Sequence, residues 1–193
     1  MINPKSIAFD IDGVFADIMP LFLDIAKKDY NITDIKIEDI TEYILEDCLN
    51  IDTGIVENII NKILNGDYDF EVKPIGSSAE VLTKIGKKSG ELVFVTARPN
   101  VGHMREWIFN QLYELSSNKI EIIATGTFSA KTEVLISKNK KYFVEDRLET
   151  CFDIHKAGIT PVLYKQPWNR KPHPFIEVAT WDELESLINF HSE

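Results

Sequence analysis

Short apolar runs ending on a polar or acidic residue recur along this sequence, and helix-length amphipathic stretches lie between them. The runs are Ser6-Ile7-Ala8-Phe9-Asp10, Leu92-Val93-Phe94-Val95-Thr96, Ile120 to Ala124, Tyr142-Phe143-Val144 before Glu145-Asp146, and Thr160 to Tyr164. Apolar, β-branched runs of this length are predicted as buried strands. The stretches at residues 77–88, 101–115, 147–157 and 181–190, with a short one from Ala130, are predicted as helices. Gly158 suits a C-cap, and Thr180 with Glu183 suits an N-terminal capping box. Strands alternating with helices at this spacing predict an α/β sandwich on a parallel sheet.

The segment after the first run departs from that rhythm. Residues 16–29 have helical spacing, with Pro20 near the start of the helix. Residues 31–73 are rich in Asp, Glu, Asn and Ile and read as three short amphipathic helices, broken near residues 50–52 and 65–67. There is no internal repeat and no low-complexity stretch.

In a parallel α/β sheet ligands sit at the carboxyl ends of the strands. The chemically capable residues fall there: Asp10 and Asp12, Thr96, Glu145 and Asp146, with Lys131 from a loop before a helix. Two carboxylates on alternate residues can divide labour. Asp10 can attack phosphorus, while Asp12 protonates the leaving oxygen and then deprotonates water. Asp10, Asp146 and a backbone carbonyl near Asp12 offer the hard oxygens that Mg2+ prefers. Lys131 and the Thr96 hydroxyl would hold the equatorial phosphate oxygens. Each feature alone has a plain alternative, a turn, a strand end, a solvated lysine or a helix-start charge pair; their shared position favours the catalytic one.

Composition narrows the partners. The formal net charge is −10, which repels nucleic-acid backbones and anionic membranes. A small phosphate monoester stays open to it, because local cations override a distant field. No apolar run is long enough to span a bilayer, and the first residues lack a signal-peptide pattern, so a cytoplasmic protein is expected. Cys48 and Cys151 lie far apart without metal-ligand spacing and read as small hydrophobes.

Four motifs stand in order: Ala8-Phe9-Asp10-Ile11-Asp12-Gly13-Val14, Val93-Phe94-Val95-Thr96, Ser129-Ala130-Lys131-Thr132 and Phe143-Val144-Glu145-Asp146. With them the chain resembles the haloacid dehalogenase-like hydrolase superfamily, whose phosphatases carry the second aspartate. The resemblance implies a Rossmann-like three-layer sandwich with a parallel sheet and a small helical cap inserted after the first strand. About 84 residues separate Asp12 from Thr96, more than a crossover helix needs. The expected division is a catalytic core of residues 1–16 and 74–193 and a cap of residues 17–73.

A narrower likeness is to the 5'(3')-deoxyribonucleotidase family. It rests on the segments Asp10 to Asp17, Thr96-Ala97-Arg98-Pro99, Val144 to Glu149, Gln166-Pro167-Trp168-Asn169-Arg170 and Thr180-Trp181-Asp182-Glu183. It covers both ends of the core well and the middle poorly. Ala97 stands where members often have Ser, and Glu145 where they often have Asp. The resemblance implies phosphate contacts around Thr96, Ala97, Arg98 and Lys131, metal ligands at Asp10, Asp12 and Asp146, and a supporting shell of Glu145 and Arg147. Phe15, Tyr43 and Tyr30 are its candidates for base or sugar contacts, set against ordinary packing. Trp168 and Trp181 read as structural. Arg98, Arg147 and Arg170 could each touch phosphate or pair with carboxylates.

The function expected is a magnesium-dependent phosphatase of (deoxy)nucleoside monophosphates; a homodimer is compatible with it. A sugar-phosphate phosphatase, an idle binding domain of the same fold and a processor of nucleic-acid 3' ends are the competing readings. Charge and the implied cap speak against the last.

Overall fold

The computed structural model describes residues 1–191. Strands β1 (Ile7–Phe9), β2 (Leu92–Thr96), β3 (Ile120–Ala124), β4 (Tyr142–Glu145), β5 (Thr160–Tyr164) and β6 (Ile176–Val178) form one parallel sheet in the order β3-β2-β1-β4-β5-β6. From β1 the chain first builds outward to β2 and β3. It then returns to the other side of β1 and builds β4 to β6. The strand order therefore reverses at β1, where an α/β sheet opens a crevice at its carboxyl edge. Register brings the edge residues together: Phe9 lies opposite Phe94 on one side and Val144 on the other. Asp10, Thr96 and Glu145 thus emerge side by side.

Both faces of the sheet are covered at its centre, which is why β1 and β2 are apolar on consecutive residues. Ala8, Val93, Val95 and Phe143 face α5 (Lys131–Ser137) and α6 (Leu148–Lys156) through Leu135 and Ile154. Ile7, Phe9, Phe94 and Val144 belong to the larger core shared with α3 (Ser78–Ser89), α4 (Gly102–Gln111) and α7 (Trp181–Leu187). The sandwich expected from the sequence is the one observed.

Between β1 and α3 lie α1 (Ile18–Tyr30) and α2 (Thr53–Asn65), packed on each other through Leu21, Phe22, Ile25, Val56, Ile59 and Ile63. Asp52 caps α2 by accepting from the backbone N–H of Gly54 and Ile55. The segment leaves and rejoins the sheet at one place: Asp17 N–H donates to Lys73 O and Ile75 N–H to Phe15 O, both at 2.9 Å.

Residues 31–52 correct the expectation of further helices. They hold only single 3-10 turns at Ile37–Asp39 and Leu45–Asp47. The Asp39 carboxylate accepts from Lys36 N–H, and Thr41 N–H donates to Asp39 O. Acidic and hydroxyl residues here give the backbone local partners that compete with a helical ladder. The last helix also ends early, at Leu187. Ile188 is extended and bridges Ile2, which donates to Leu187 O and accepts from Asn189. The Thr180 hydroxyl accepts from Glu183 N–H as expected, while the Glu183 carboxylate reaches back to Ala179 N–H. Among the described residues no helix is long and apolar enough to cross a membrane.

Candidate active site

Asp10 follows β1 directly and is buried. Its Oδ1 accepts from Ile11 N–H at 2.8 Å and its Oδ2 from the Lys131 ammonium at 2.6 Å. Lys131 is only 1% exposed and also donates to Glu145 Oε2 at 2.9 Å. The other Glu145 oxygen accepts from the backbone N–H groups of Asp146 and Arg147. Asp146 Oδ2 accepts from the Trp168 indole N–H at 2.8 Å. Its Oδ1 is buried and has no hydrogen-bond partner among the described residues.

Buried carboxylates this close perturb one another. Burial raises the Asp10 carboxyl well above the usual carboxylate range; Lys131 opposes this, and Glu145 and Asp12 add to it. Burial likewise raises Asp146, reinforced by Glu145 and Asp10. Burial also pushes Glu145 up, yet Lys131 and the backbone N–H of Arg147 outweigh that and leave it lowered. Asp10 and Glu145 share Lys131 but differ in support, because two backbone N–H groups reach Glu145 and only one reaches Asp10. Burial disfavours the charged Lys131, but Asp10 and Glu145 raise its pKa overall.

Oxygens of Asp10, Glu145 and Asp146 lie within 4.8 Å of one another. Three carboxylates against one ammonium leave negative charge in excess, and the bare Asp146 Oδ1 points to a missing partner. Hard oxygens with surplus negative charge fit a divalent cation of the magnesium or calcium kind. Both oxygens of Asp10 and of Glu145 already accept hydrogen bonds, so of these three carboxylates Asp146 alone keeps an oxygen without a partner among the described residues.

Asp12 stands two residues beyond Asp10, and Arg98 grips it with two parallel bonds of 2.8 Å. A third Arg98 hydrogen bond, 3.4 Å, reaches Ile63 O in α2. Arg98 thus pairs with a carboxylate, and it also borders the cavity. Thr96 and Ala97 do border the cavity. Phe15 is corrected: it is fully buried, with its ring stacked 5.6 Å from Phe94 and tilted 4.9 Å from Trp107, in the core rather than the cavity. Tyr30 does not line the cavity and packs under Lys62. Arg147 lies over the rings of Phe128 at 4.3 Å and Tyr43 at 5.2 Å, and Arg170 pairs with Glu177 at 2.8 Å.

A cavity of about 270 Å3 opens above these groups. Asp10, Asp12, Thr96, Ala97 and Asp146 form its floor, and Met19, Ile40, Leu45, Ile60 and Leu64 its apolar wall. Tyr43 and Phe128, in edge contact at 5.6 Å, close one side. Burial raises the Tyr43 phenol, helped by Asp146 and Glu145, so it stays a neutral donor.

A family model described as "5' nucleotidase, deoxy (Pyrimidine), cytosolic type C protein" matches residues 4–192. The chain belongs to this nucleotidase family. It is thereby a phosphoric monoester hydrolase of the haloacid dehalogenase-like superfamily. A nucleotidase of Clostridium acetobutylicum is 25% identical over 186 residues, covering 95% of this chain and 93% of the relative. Two solved structures share the fold. A HAD-superfamily hydrolase of Ehrlichia chaffeensis has a TM-score of 0.60 at 13% identity, with 97% of each chain covered. A predicted phosphoglycolate phosphatase of Haemophilus somnus has a TM-score of 0.62 at 15% identity, covering 95% of this chain and 97% of that one.

In this family member the motif glycine after Asp12 is set by packing as well as by backbone. Gly13 has φ +72°, and a Cβ there would lie 2.3 Å from Asp146 Oδ2 and 3.3 Å from the Trp168 ring. Gly126 has the same φ with nothing within 4 Å. Gly126→Ala is thus expected to carry only the conformational cost, about 1 kcal/mol. Gly13→Ala adds the overlap with Asp146 and is expected to lower the melting temperature clearly further. Calorimetry of the two variants checks this; equal melting temperatures would contradict the packing argument.

Proposed function

We propose that the chain is a magnesium-dependent phosphatase of nucleoside monophosphates, deoxy forms first, working through an aspartyl-phosphate, an acyl phosphate on Asp10. The observation that carries this is the join between a carboxylate floor, backed at Asp10 by Lys131, and an apolar wall in one small cavity. A sugar phosphate brings hydroxyls that need partners on every side, and unpaired buried polar groups are costly. Met19, Ile40, Ile60 and Leu64 supply none; they suit the flat, largely apolar face of a nucleobase.

In this reading an Asp10 carboxylate oxygen attacks phosphorus and the bond to the leaving oxygen breaks as Asp12 protonates that oxygen. Water then attacks the phosphorus, Asp12 takes its proton, and the bond to Asp10 breaks to release inorganic phosphate. One Asp12 oxygen must first turn from Arg98 toward the leaving oxygen. Lys131 holds Asp10 in place and lends it positive charge, and Thr96 offers its hydroxyl to the phosphoryl oxygens. Asp10, Asp146 and the chain near Asp12 would hold Mg2+, which when bound offsets the repulsion between two anions.

Residues 17–73 act as a cap over a core of residues 1–16 and 74–193. The paired hydrogen bonds at Asp17 and Ile75 support that boundary, and the cavity wall from α1 and α2 supports its role in reading the leaving group. The acidic composition and the absence of a membrane-crossing helix among the described residues fit a cytoplasmic setting.

Phosphate release from a panel of nucleotides, sugar phosphates and end-phosphorylated oligonucleotides tests this. Deoxynucleoside monophosphates are expected to exceed di- and triphosphates, sugar phosphates and oligonucleotides. Chelator is expected to abolish turnover and magnesium to restore it. A sugar phosphate or an oligonucleotide as the best substrate, or full activity in excess chelator, would overturn the reading.

A further inference from the structure

Three residues just after β5 fasten the two loops that carry Asp10 with Asp12 and Asp146. Gln166 Nε2 donates to Gly13 O at 2.7 Å, beside the loop of Asp10 and Asp12. Asn169, 1% exposed, donates to Asp146 O and to Tyr164 O, both at 2.8 Å. Trp168, 7% exposed, donates its indole N–H to Asp146 Oδ2 at 2.8 Å. Asp146 is therefore held at main chain and side chain by one short segment, and only Oδ1 remains bare.

The choice of donor matters. An indole offers one N–H and no acceptor, so it fixes one carboxylate oxygen in one direction. It is also neutral. An arginine or lysine in its place would cancel the charge a cation needs, whereas the indole leaves it intact. Gly13 makes room for the arrangement, since any Cβ there would strike Asp146 Oδ2 and the Trp168 ring.

Resting on the reading of Asp146 as a magnesium ligand, we propose that Trp168 is a positioning residue for the metal. Its N–H holds Asp146 Oδ2 so that Oδ1 stays turned toward the cation. Hydrogen bonds to the outer atoms of ligating groups set ligand orientation, and their loss weakens metal binding about 10–100-fold.

The full chain carries three tryptophans, so nitrogen-15 labelling gives three indole N–H resonances. Trp107 donates to Val72 O and Trp181 to Val14 O, which makes them internal references. On titration with magnesium chloride the Trp168 resonance is expected to shift most. Calorimetric titration of Trp168→Phe with magnesium is expected to show affinity reduced about 10-fold or more, with kcat restored toward wild type at saturating metal. A merely structural tryptophan would lower the melting temperature and leave the magnesium affinity alone.

Wild type that binds magnesium while the Trp168 resonance stays still overturns the proposal and leaves the metal reading standing. Trp168→Phe that binds as tightly as wild type does the same. Wild type that binds no magnesium overturns the metal reading itself, and this proposal with it. If Trp168→Phe does not fold, the wild-type resonance decides alone.

Discussion

Asp10→Asn is expected to reduce phosphate release about ten-thousandfold or more while the chain keeps a cooperative melting transition. An amide oxygen is a poor nucleophile and cannot form the acyl phosphate that carries the phosphoryl group. Folding is spared for a separate reason. Burial raises the Asp10 carboxyl, so its ionised form works against the folded state at neutral pH, and a neutral amide relieves that repulsion. The relief is set against one hydrogen bond, since Asn cannot accept from both Ile11 N–H and Lys131 as Asp10 does. Steady-state phosphate release and calorimetry on the same preparation check both halves. Substantial turnover by a clean Asp10→Asn sample would remove Asp10 as nucleophile.

Lys131→Met is expected to lose both activity and stability. Its ammonium is the cation bonded to Asp10 and Glu145, and removing it leaves two buried carboxylates uncompensated. Breaking a buried pair in this way typically costs about 3–5 kcal/mol. Loss of a preorganised charge beside the reacting group costs a further hundred- to thousandfold in kcat. The stability loss should depend on pH. Without Lys131 the shift that opposed burial at Asp10 is gone, so the folded state holds that proton more tightly than the unfolded chain. A raised carboxyl favours folding as pH falls through its folded value toward the unfolded one. In magnesium-free buffer the gap to wild type is thus expected to narrow on acidification from neutral pH. A gap that widens instead would mean that the carboxylates are compensated elsewhere.

The contrast between these variants bears on what a sequence can disclose. Strands are legible because burial on two faces leaves an unbroken apolar run, as in Leu92–Thr96. Asp10, Thr96 and Asp146 are legible because a parallel sheet presents its strand ends to one crevice. What escapes are roles set by three-dimensional pairing. Nothing in Thr96-Ala97-Arg98 tells that the guanidinium pairs with Asp12, 86 residues away. Phe15 reads equally as a pocket or a core residue until its ring is seen against Phe94. Trp168 reads as structural because an indole has a packing use everywhere, and only its 2.8 Å bond to Asp146 gives it another. The available signal was the Gln166-Pro167-Trp168-Asn169 segment, polar and aromatic just past a strand end. Strand β6 was not recognised, since Ile176–Val178 is three residues long and periodicity has no meaning over so few.

The crossing of backbone bonds at Asp17 and Lys73, and at Ile75 and Phe15, has a consequence for how such a chain can diversify. The two ends of a long excursion meet within a single hydrogen-bond span. A different loop of any length could be grafted there without displacing β1 or α3. Asp10, Lys131, Glu145 and Asp146 all lie outside the graft, while Met19, Ile40, Ile60 and Leu64 lie inside it. A chimera carrying another relative's residues 17–73 would therefore inherit new taste in leaving groups with the old chemistry untouched. The Arg98 bond to Ile63 O, the Trp107 bond to Val72 O and the contacts of Tyr43 with Phe128 and Arg147 would have to be rebuilt across the seam.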